Sequence, residues 1–469
     1  MALLPLFDIA RNGLLTQQLQ LGVAGNNVAN VNTPGYSRQR ADLGEETPTA
    51  GEGGVLIGRG VRVRSVQQVV DPLIERRLQQ VLTDQGEQTT RRDRLQSLEQ
   101  ALNDLGDSSL TTQVDAFFNA ADALAQNPAG LAERESLLGS AQAVATELNR
   151  RSGQLGTLQR SADDTMVQRV SEVNAQLSRI ADLNVQIASA ELGGQNAGAL
   201  RDERNLALQS VSKVIGIDTL DQADGTVRVS AKNGVTLVDT GQVVHQLALQ
   251  GGATGLDGRV LHDVGLTGSD GSGFIAAPGA IASGEMAALR TVRDQDIVTA
   301  STNLDQFTST LATAVNGVQQ NATAVDLDGA STTAVPLFAG TTAGTIAVAV
   351  TDPRRIAAAR STQPGDAQNA LALADLRSAT QAGLGGLTPS GWLASEQSRL
   401  GQAASQASDV ARSSELLATQ VQSERDSVSG VNLNEELTNL IQYQHAFEAA
   451  AKLVSVADGV LQTLVDMVQ

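Results

Sequence analysis

Few side chains in this sequence have a type and spacing that would support catalysis. Ser210 and Lys213 have the serine–lysine spacing of penicillin-recognising enzymes, but no companion Ser-Asp-Asn or Lys-Thr-Gly segment accompanies them. The three histidines, His245, His262 and His445, are scattered and lack the spacing of metal ligands. We therefore interpret these residues as surface or structural, and we expect neither a catalytic centre nor an enzyme.

Acidic and basic clusters also have ordinary explanations. Asp326, Asp328 and Gly329 look like the start of a calcium-binding loop, yet the later ligands and the closing glutamate are absent, so we expect an acidic turn. Arginines cluster at residues 76–77 and 91–94, beside acidic neighbours on predicted helices. We interpret them as solvated helix faces with i,i+4 ion pairs. Because a phosphate-binding glycine loop is also missing from the sequence, we expect no cofactor.

An asparagine-rich segment follows the first predicted helix, and we regard it as a candidate assembly motif. Asparagine tolerates left-handed backbone geometry and can satisfy the carbonyl groups that a helix end leaves free. A Pro-Gly pair in the same segment suits the centre of a type II turn, where glycine supplies the positive φ. The motif consists of Asn26, Asn27, Asn30, Asn32, Thr33, Pro34, Gly35 and Tyr36.

Both ends of the chain carry an apolar stripe with the 4-3 spacing of a coiled coil. Such a stripe forms one narrow seam on a helix, and the seam needs a partner helix. The seams predict that the termini pair with each other or with neighbouring copies, although a single amphipathic helix more often belongs to an ordinary core. The predicted assembly seam contains Leu14, Leu21 and Val28 near one end and Leu433, Leu437, Leu440, Phe447, Val454, Leu461 and Val468 near the other.

The apolar stripes of the terminal helices stabilise the protein only when they are buried against another surface. A fully buried Leu or Phe gains about 1.5–3 kcal/mol, but only once another surface covers it. We therefore expect both ends of a free monomer to fray and to become ordered on polymerisation.

The amino-acid composition argues against several classes of function. Aromatic residues make up only 2% of the 469 residues, so a deep aromatic ligand pocket is not expected. The net charge of −18 argues against nucleic-acid binding, and cysteine is absent. The first residues lack a basic leader, and no run reaches the roughly 18 apolar residues of a membrane span. We therefore expect neither a cleaved signal peptide nor membrane insertion.

Helical and β patterns alternate along the middle of the chain. Asp71-Pro72 combines the capping residue and the first-position proline of a helix start. A long apolar stripe runs from Met166 to Ile187, with Asn184 as a polar insertion that is expected to set helix register. Glycines and β-branched residues take over after residue 215, where Asn233-Gly234 predicts a hairpin turn.

Together these patterns predict a mainly α fold with an inserted β-rich domain. We expect an elongated multi-domain rod with coiled-coil-like terminal helices, a long helical bundle and a small outer β domain. The predicted divisions are a terminal-helix assembly domain at 1–35 and 428–469, a helical rod at 36–214 and 285–427 with a short β segment near 330–352, and an outward-facing β-rich domain at 215–284.

The two ends also resemble a known family. Residues 26–36 closely resemble the N-terminal signature of the axial proteins of the bacterial flagellum, a family of rod, hook and hook-associated proteins. Residues 34–39 are similar to the version found in hook-associated members, whereas rod and hook proteins more often carry Phe after the glycine. Residues 429–436 and, more weakly, 366–371 resemble the same members. The likeness covers both ends well, the helical middle loosely and the β region hardly at all.

This resemblance implies an extracellular structural protein that joins hook to filament and self-assembles through its terminal helices. It implies export through the flagellar type III apparatus without a cleaved signal peptide, with a chaperone on the C-terminal helix before secretion. The implied partners are further copies of the chain in a ring or helical layer, the hook protein and a second junction protein. Because the chain is short for the family, we expect a variable outer domain to be reduced or missing.

Three other interpretations stay open at this point. A rod or hook subunit is the nearest alternative within the same family. A secreted cell-wall hydrolase would need two converging carboxylates in a cleft, and no such pair stands out in the sequence. A cytoplasmic coiled-coil scaffold would not be recovered intact outside the cell.

Overall fold

Helices dominate the structure, as the sequence predicts. The computed structural model describes residues 3–50, 56–102, 109–193, 195–268 and 273–468, and the chain is 63% helical. The α-helices in these residues are α1 (Leu3–Ala29), α2 (Pro72–Leu102), α3 (Leu110–Gln126), α4 (Leu131–Leu192), α5 (Gly198–Val214), α6 (Glu285–Thr291), α7 (Ile297–Gln319), α8 (Gln368–Asp375), α9 (Pro389–Ser429) and α10 (Leu433–Val468). A π-helical segment, Val292–Asp296, joins α6 to α7.

The strands are short, and all of the described pairs are antiparallel. They are β1 (Gln39–Glu45), β2 (Thr49–Ala50), β3 (Leu56–Ile57), β4 (Val61–Gln68), β5 (Ile217–Asp221), β6 (Val227–Ala231), β7 (Thr236–Asp239), β8 (Gln242–Val243), β9 (Leu247–Thr254), β10 (Val260–Thr267), β11 (Phe274–Ile275), β12 (Phe338–Ala339) and β13 (Ala347–Val348). The sheets have the orders β1-β4, β2-β3, β5-β6-β7-β8, β11-β10-β9 and β12-β13.

Helix α4 contributes to two of the three apolar cores of the molecule. Its 62 residues extend over about 93 Å at a rise of 1.5 Å per residue. Its first half, as far as Leu155, packs with α3, α7 and the end of α2 in a first apolar core. Its second half packs with α5, α6 and the β-rich region in a second core. A third, smaller cluster joins α2 to α9 through Leu78, Val81, Ala418 and Val421.

The described part of the β-rich region packs on α4 and shares an apolar core with it. Five large buried side chains of α4, together with two alanines, belong to one apolar cluster with buried side chains of β5, β6, β7, β9 and β10. The predicted β-rich insertion in a mainly helical chain is confirmed, although it shares its apolar core with α4, and its bounds at 215–284 stay a prediction. Its outward orientation stays a prediction. The five large α4 side chains are Met166, Val170, Val173, Leu177 and Ile180.

Asn184 also differs from its predicted role. Its side chain does not set the register of two helices; it binds the backbone of strand β6. Its Nδ2 donates to the carbonyl of Val227 over 2.9 Å, and its Oδ1 accepts the amide of the same residue over 3.1 Å. Arg204 donates to the same oxygen from α5. Asn184 therefore satisfies backbone groups at the start of β6 that strand β7 does not pair.

Several local predictions are confirmed. Asp71 caps α2, since its Oδ1 accepts the amide of Leu73 over 2.8 Å. The turn between β6 and β7 contains Gly234 with a φ of +83°, a conformation that glycine adopts without steric cost. The short β segment predicted near 330–352 is the pair β12–β13.

Deleting residues 217–283 tests the shared core. The deletion should expose the five apolar α4 side chains, so we expect the shortened chain to aggregate or to unfold at a lower temperature. Calorimetry and size-exclusion chromatography would measure both effects. Replacing those five side chains by polar ones in the shortened chain should restore solubility, because the uncovered apolar stripe would be gone. A shortened chain that stays monomeric with an unchanged unfolding temperature would contradict the shared core.

Candidate assembly site at the chain ends

The first and last helices of the chain pack against each other in an antiparallel pair. A Cβ atom placed on Gly13 would lie only 3.7 Å from the Cβ of Ala450, so the two backbones approach closely there. Small buried side chains extend this contact, with Ala24 on α1 and Ala457 on α10 at 2% and 1% exposure. The termini therefore pair with each other within one chain, which is one of the two arrangements that the sequence predicts. The fraying of both ends in a free monomer stays a prediction.

The contact between α1 and α10 coincides only in part with the predicted seam. On α10 the buried face contains Glu436, Ala450 and Ala457, and larger apolar residues flank it. Small side chains let two helix axes approach, whereas a row of leucines would hold them apart. Leu14, Leu21, Val28, Leu440, Phe447 and Val454 are half-buried, Leu433, Leu437 and Leu461 are exposed, and the side chain of Val468 lies outside the described residues.

Large apolar side chains therefore remain uncovered on both helices. On α1 they include Leu15 and Leu19, which are 54% and 41% exposed. On α10 they form two groups on opposite sides of the face that contacts α1. One group contains Leu433, Leu437 and Ile441, and the other contains Leu453, Val456 and Val460.

Helix α1 also rests on the β1–β4 hairpin through polar contacts. Asn12 donates from Nδ2 to the carbonyl of Arg59 over 3.0 Å, and Arg59 forms an ion pair with Asp8 at 3.0 Å. One turn further along, Thr16 donates to the carbonyl of Val61 over 3.4 Å. The pair α1–α10 and this hairpin consequently form one unit, which we call the terminal unit (residues 3–50, 56–68 and 430–468).

Asn27 is the central residue of the asparagine motif. Its side-chain amide pairs with Gln39 at the start of β1, donating to the carbonyl and accepting the amide, both over 2.9 Å. The same Nδ2 donates to Glu436 Oε2 over 3.1 Å, and the same Oδ1 accepts the Tyr36 hydroxyl over 2.9 Å. Asn27 is only 1% exposed. This one side chain therefore connects α1, β1 and α10.

The rest of the motif builds a turn. Asn30 donates from Nδ2 to the carbonyl and to Oδ1 of Asn26, and Thr33 donates to Asn30 Oδ1. Gly35 has a φ of +78°, as the turn prediction requires. The asparagines themselves have no positive φ, so the expectation of left-handed asparagine geometry is wrong; they act through side-chain hydrogen bonds. Asn32 and Pro34 lie in the exposed part of the turn.

A buried arginine, Arg425, holds the end of this turn to the body of the molecule. From α9 it donates to Glu75 Oε1 over 3.1 Å, to the carbonyl of Gly35 over 2.9 Å and to Ser37 Oγ over 3.1 Å. The amide of Ser37 donates to Asp202 Oδ2 on α5 over 3.1 Å. We call this contact set, from Gly35 to Gln39 with Glu75, Asp202 and Arg425, the joint.

Burial shapes the electrostatics of the joint. Desolvation raises the pKa of the Asp202 carboxyl, against the effect of hydrogen bonds from Ser37. Desolvation, with the nearby carboxylates of Asp202 and Glu436, raises the pKa of Tyr36 to about 12. Tyr36 is therefore a neutral donor to the asparagine motif at physiological pH.

Glu75, Asp202 and Arg425 were not predicted from the sequence as site residues. One signal was present, because Ala411, Ala418 and Arg425 continue a buried seven-residue spacing along α9. A charged residue at such a position is rarely buried without a partner, and it could have been singled out.

The residues considered for catalysis do not form a site. Ser210 donates to its own helix, while Lys213 lies 3.8 Å from Glu285. The Nδ1 atom of His262 lies 2.7 Å from Asp163 Oδ2, in a hydrogen bond that connects β10 to α4. In the part of the chain that the structure describes, no group of three or more His, Asp or Glu side chains could hold a metal ion. No described helix is long and apolar enough to cross a membrane.

The acidic turn and the arginine clusters have clear roles. Asp326 Oδ1 accepts the amides of Asp328 and Ala330, and this forms the acidic turn that the sequence predicts. The arginine clusters do not depend on i,i+4 pairs, however. Their ion pairs cross from α2 to α9, with Arg77 3.0 Å from Glu424 and Arg92 2.8 Å from Glu415.

Family comparisons agree with this architecture. The description "Flagellar hook-associated protein FlgK helical domain" matches residues 95–338, slightly more than half of the chain. The chain belongs to the family of flagellar hook-associated proteins. The description "Flagella basal body rod protein" matches residues 7–36, and "Flagellar basal body rod FlgEFG protein C-terminal" matches residues 422–467. Those two end segments are the ones that meet in the terminal unit and the joint.

Individual relatives extend the likeness to most of the chain. Flagellar hook-associated protein 1 of Bacillus subtilis is 27% identical, over 98% of this chain and 97% of the relative. The protein of the same name from Escherichia coli is 26% identical, over 98% and 99%. The one from Salmonella typhimurium is 29% identical, over 69% of this chain and 58% of the relative. The expected loss of an outer domain stays a prediction.

A solved structure shares the fold. "The structure of the flagellar hook junction protein FlgK from Burkholderia pseudomallei" superposes with a TM-score of 0.63 at 17% identity, over 76% of this chain and 100% of that chain. The chain is thus a structural, hook-associated component of the bacterial flagellum, at the junction of hook and filament.

Replacing Asn27 by Asp tests the central contact of the motif. The new carboxylate would face buried Glu436 and would no longer donate to it, so we expect a loss of about 2–4 kcal/mol of unfolding free energy for the terminal unit. Hydrogen exchange of α1 and α10 amides would measure it. Adding Glu436→Gln should recover part of the loss, because the new amide can donate to the carboxylate.

The matched control is Asn32→Asp, in the exposed part of the same motif. It should change the unfolding free energy by less than about 0.5 kcal/mol. Equal effects of the two substitutions would mean that Asn27 does not connect the terminal helices.

Proposed function

We propose that the terminal unit is the surface through which copies of the chain assemble into a ring or helical layer. The observation that carries the proposal is the division of apolar side chains on α1 and α10. Small ones form the contact within one chain, and large ones, such as Leu19 and Ile441, stay exposed. Exposed apolar rows of this kind are typical of surfaces that another protein covers.

The placement of the exposed rows supports contacts with two neighbours. On α10 the row Leu433, Leu437 and Ile441 and the row Leu453, Val456 and Val460 lie on opposite sides of the contact with α1. A subunit with different apolar surfaces on two sides forms heterologous contacts, which close into a ring or continue as a helix. The assembly motif and the predicted seam then act together. Asn27 fixes the pair α1–α10, and neighbouring copies cover the apolar residues on both sides of that pair.

The C-terminal helix has a further exposed section, which favours a chaperone contact before export. In the antiparallel pair, Leu461 lies opposite the start of α1. Leu461 is on the same face of α10 as the buried Ala457, yet it is 40% exposed. We propose that an export chaperone covers this section until secretion. Hook protein on one side and a second junction protein on the other would then be the neighbours in the assembled flagellum.

The family implies the location of the protein, and its export route is a proposal. Membership in the hook-associated family places the protein in the extracellular flagellum. We propose that it reaches that position through the flagellar type III apparatus, without a cleaved signal peptide. We also propose that it works without catalysis, as a structural part, because its relatives are named as flagellar hook-associated proteins.

The domain arrangement within the layer is likewise a proposal. The terminal unit, extended by the β1–β4 hairpin beyond the predicted boundary at residue 35, would form the axial part. The helical body around α4 and the β-rich region at 215–284 would face away from the axis. The polar contacts of the hairpin with α1 support this larger axial part.

Replacing Leu461 by Asp tests assembly separately from folding. The charge would enter a helix–helix contact in the assembled layer, which costs several kcal/mol if the site is buried there. In the monomer the side chain is already 40% exposed, so the unfolding temperature should change little. We expect a folded protein that attaches few filaments and releases flagellin into the medium, measured by electron microscopy and immunoblotting.

The matched control is Gln462→Asp, one residue further and exposed. It should leave motility nearly normal. Equal motility of the two variants would remove Leu461 from the assembly surface. A large drop in monomer stability from Leu461→Asp would show that this section is already packed before assembly.

A further inference from the structure

The terminal unit has no apolar core in common with the rest of the molecule. The three apolar clusters contain no side chain from its described residues, 3–50, 56–68 and 430–468. Helices α1 and α10 pack mainly on each other and on the hairpin, and not along α2, α5 or α9. The direction in which the terminal unit leaves the body must therefore depend on polar contacts and on two short connections.

Most of those polar contacts involve one short segment, residues 35–39. Separately, Gln68 at the end of β4 donates to the carbonyl of Gly198 over 2.9 Å and to Asp202 Oδ1 over 2.7 Å. The amide of Arg38 donates to the carbonyl of Ser429 over 2.7 Å, and the carbonyl of Arg38 accepts the amide of Val69 over 2.8 Å. Its side chain forms only an exposed ion pair with Glu435 at 2.9 Å. The amide of Ser37 binds Asp202. Each of these contacts joins two chain segments.

Arg425, like Asp202, joins three segments of the chain. It is 4% exposed, and its guanidinium reaches Glu75 at the start of α2, the carbonyl of Gly35 and the hydroxyl of Ser37. Both connections of the terminal unit are thereby tied to one side chain, since Arg425 itself lies in the last turn and a half of α9, just before the connection to α10. A planar guanidinium with several fixed donors can hold three partners at once, which a lysine ammonium on a flexible stem cannot do in the same geometry.

We propose that Arg425 is a positioning residue that fixes the direction of the terminal unit relative to the helical body. Its contact with Glu75 neutralises the buried charge, and its contacts with Gly35 and Ser37 transmit the position of α2 and α9 to the turn that follows α1. The inference concerns the single chain and does not depend on how copies assemble. Exposed Asp426, which also accepts from Arg425 at 3.3 Å, is not required for the positioning.

Distances between spin labels in the full-length monomer test this proposal. The chain has no cysteine, so labels can be placed on the exposed positions Gln420→Cys of α9 and Gln444→Cys of α10. Pulsed electron resonance on this pair reports the direction of the terminal unit. A second pair, Gln18→Cys with Gln444→Cys, reports whether α1 and α10 remain together.

We expect both pairs to give one narrow distance maximum in the otherwise unchanged chain. Arg425→Gln and Arg425→Lys should both cause the loss of the narrow maximum between positions 420 and 444. The maximum between positions 18 and 444 should remain, with unchanged helix content. Asp426→Asn is the matched control and should leave both maxima in place.

Exchanging the charges of Glu75 and Arg425 distinguishes the effect of their ion pair from the effect of the contacts with Gly35 and Ser37. Glu75→Arg combined with Arg425→Glu restores an ion pair between α2 and α9, but it supplies no donor from α9 to Gly35 and Ser37. We expect this double variant to lose the narrow 420–444 maximum as well. The proposal is overturned if that maximum survives in Arg425→Gln or in the charge exchange. It is equally overturned if both distances broaden in both single Arg425 variants, because Arg425 would then hold the fold and not its direction.

Discussion

The close approach of the first and last helices is the contact on which the architecture of the chain ends depends. Gly13 and the small side chains of α1 and α10 allow two backbones from opposite ends of the chain to pack directly. Ordering such distant segments carries an entropic cost, which close packing over many residues offsets. Once the contact forms, the larger apolar residues are left on its flanks. The surface available to neighbours is therefore a consequence of which side chains are small.

The body and the terminal unit are stabilised by different interactions. The body has three apolar clusters along α4 and α9, so its elements are held by burial of Leu, Val and Ile side chains. The terminal unit is attached by hydrogen bonds and ion pairs at the joint. Charge-assisted hydrogen bonds are directional, and they fix an orientation more specifically than apolar contact does. A structural subunit that must present its terminal helices in a defined direction gains from that difference.

Periodic features were the ones that could be predicted from the sequence. Stripes of apolar residues indicated α4 and α10, Asn233-Gly234 marked the turn between β6 and β7, and Asp71-Pro72 marked the start of α2. These features depend on near neighbours in the sequence. The joint could not be found in this way. Glu75 and Arg425 meet across 350 residues, and Asn27 meets Glu436 across 409. The face of α10 that contacts α1 was not fully predicted either. The predicted seam consisted of large apolar residues, whereas small residues form the closest contact.

Disulfide trapping of the terminal pair tests the central contact most directly. Residues Gly13 and Ala450 bring their Cβ positions to 3.7 Å, within the roughly 3.5–4.5 Å span of a disulfide. In a dilute monomer, Gly13→Cys with Ala450→Cys should form an intrachain disulfide rapidly, seen as faster migration on a non-reducing gel. The control Leu15→Cys with Ala450→Cys, on the far side of α1, should not. Concentration-dependent interchain products alone, or equal intrachain yield from the control, would contradict the pairing of the two ends within one chain.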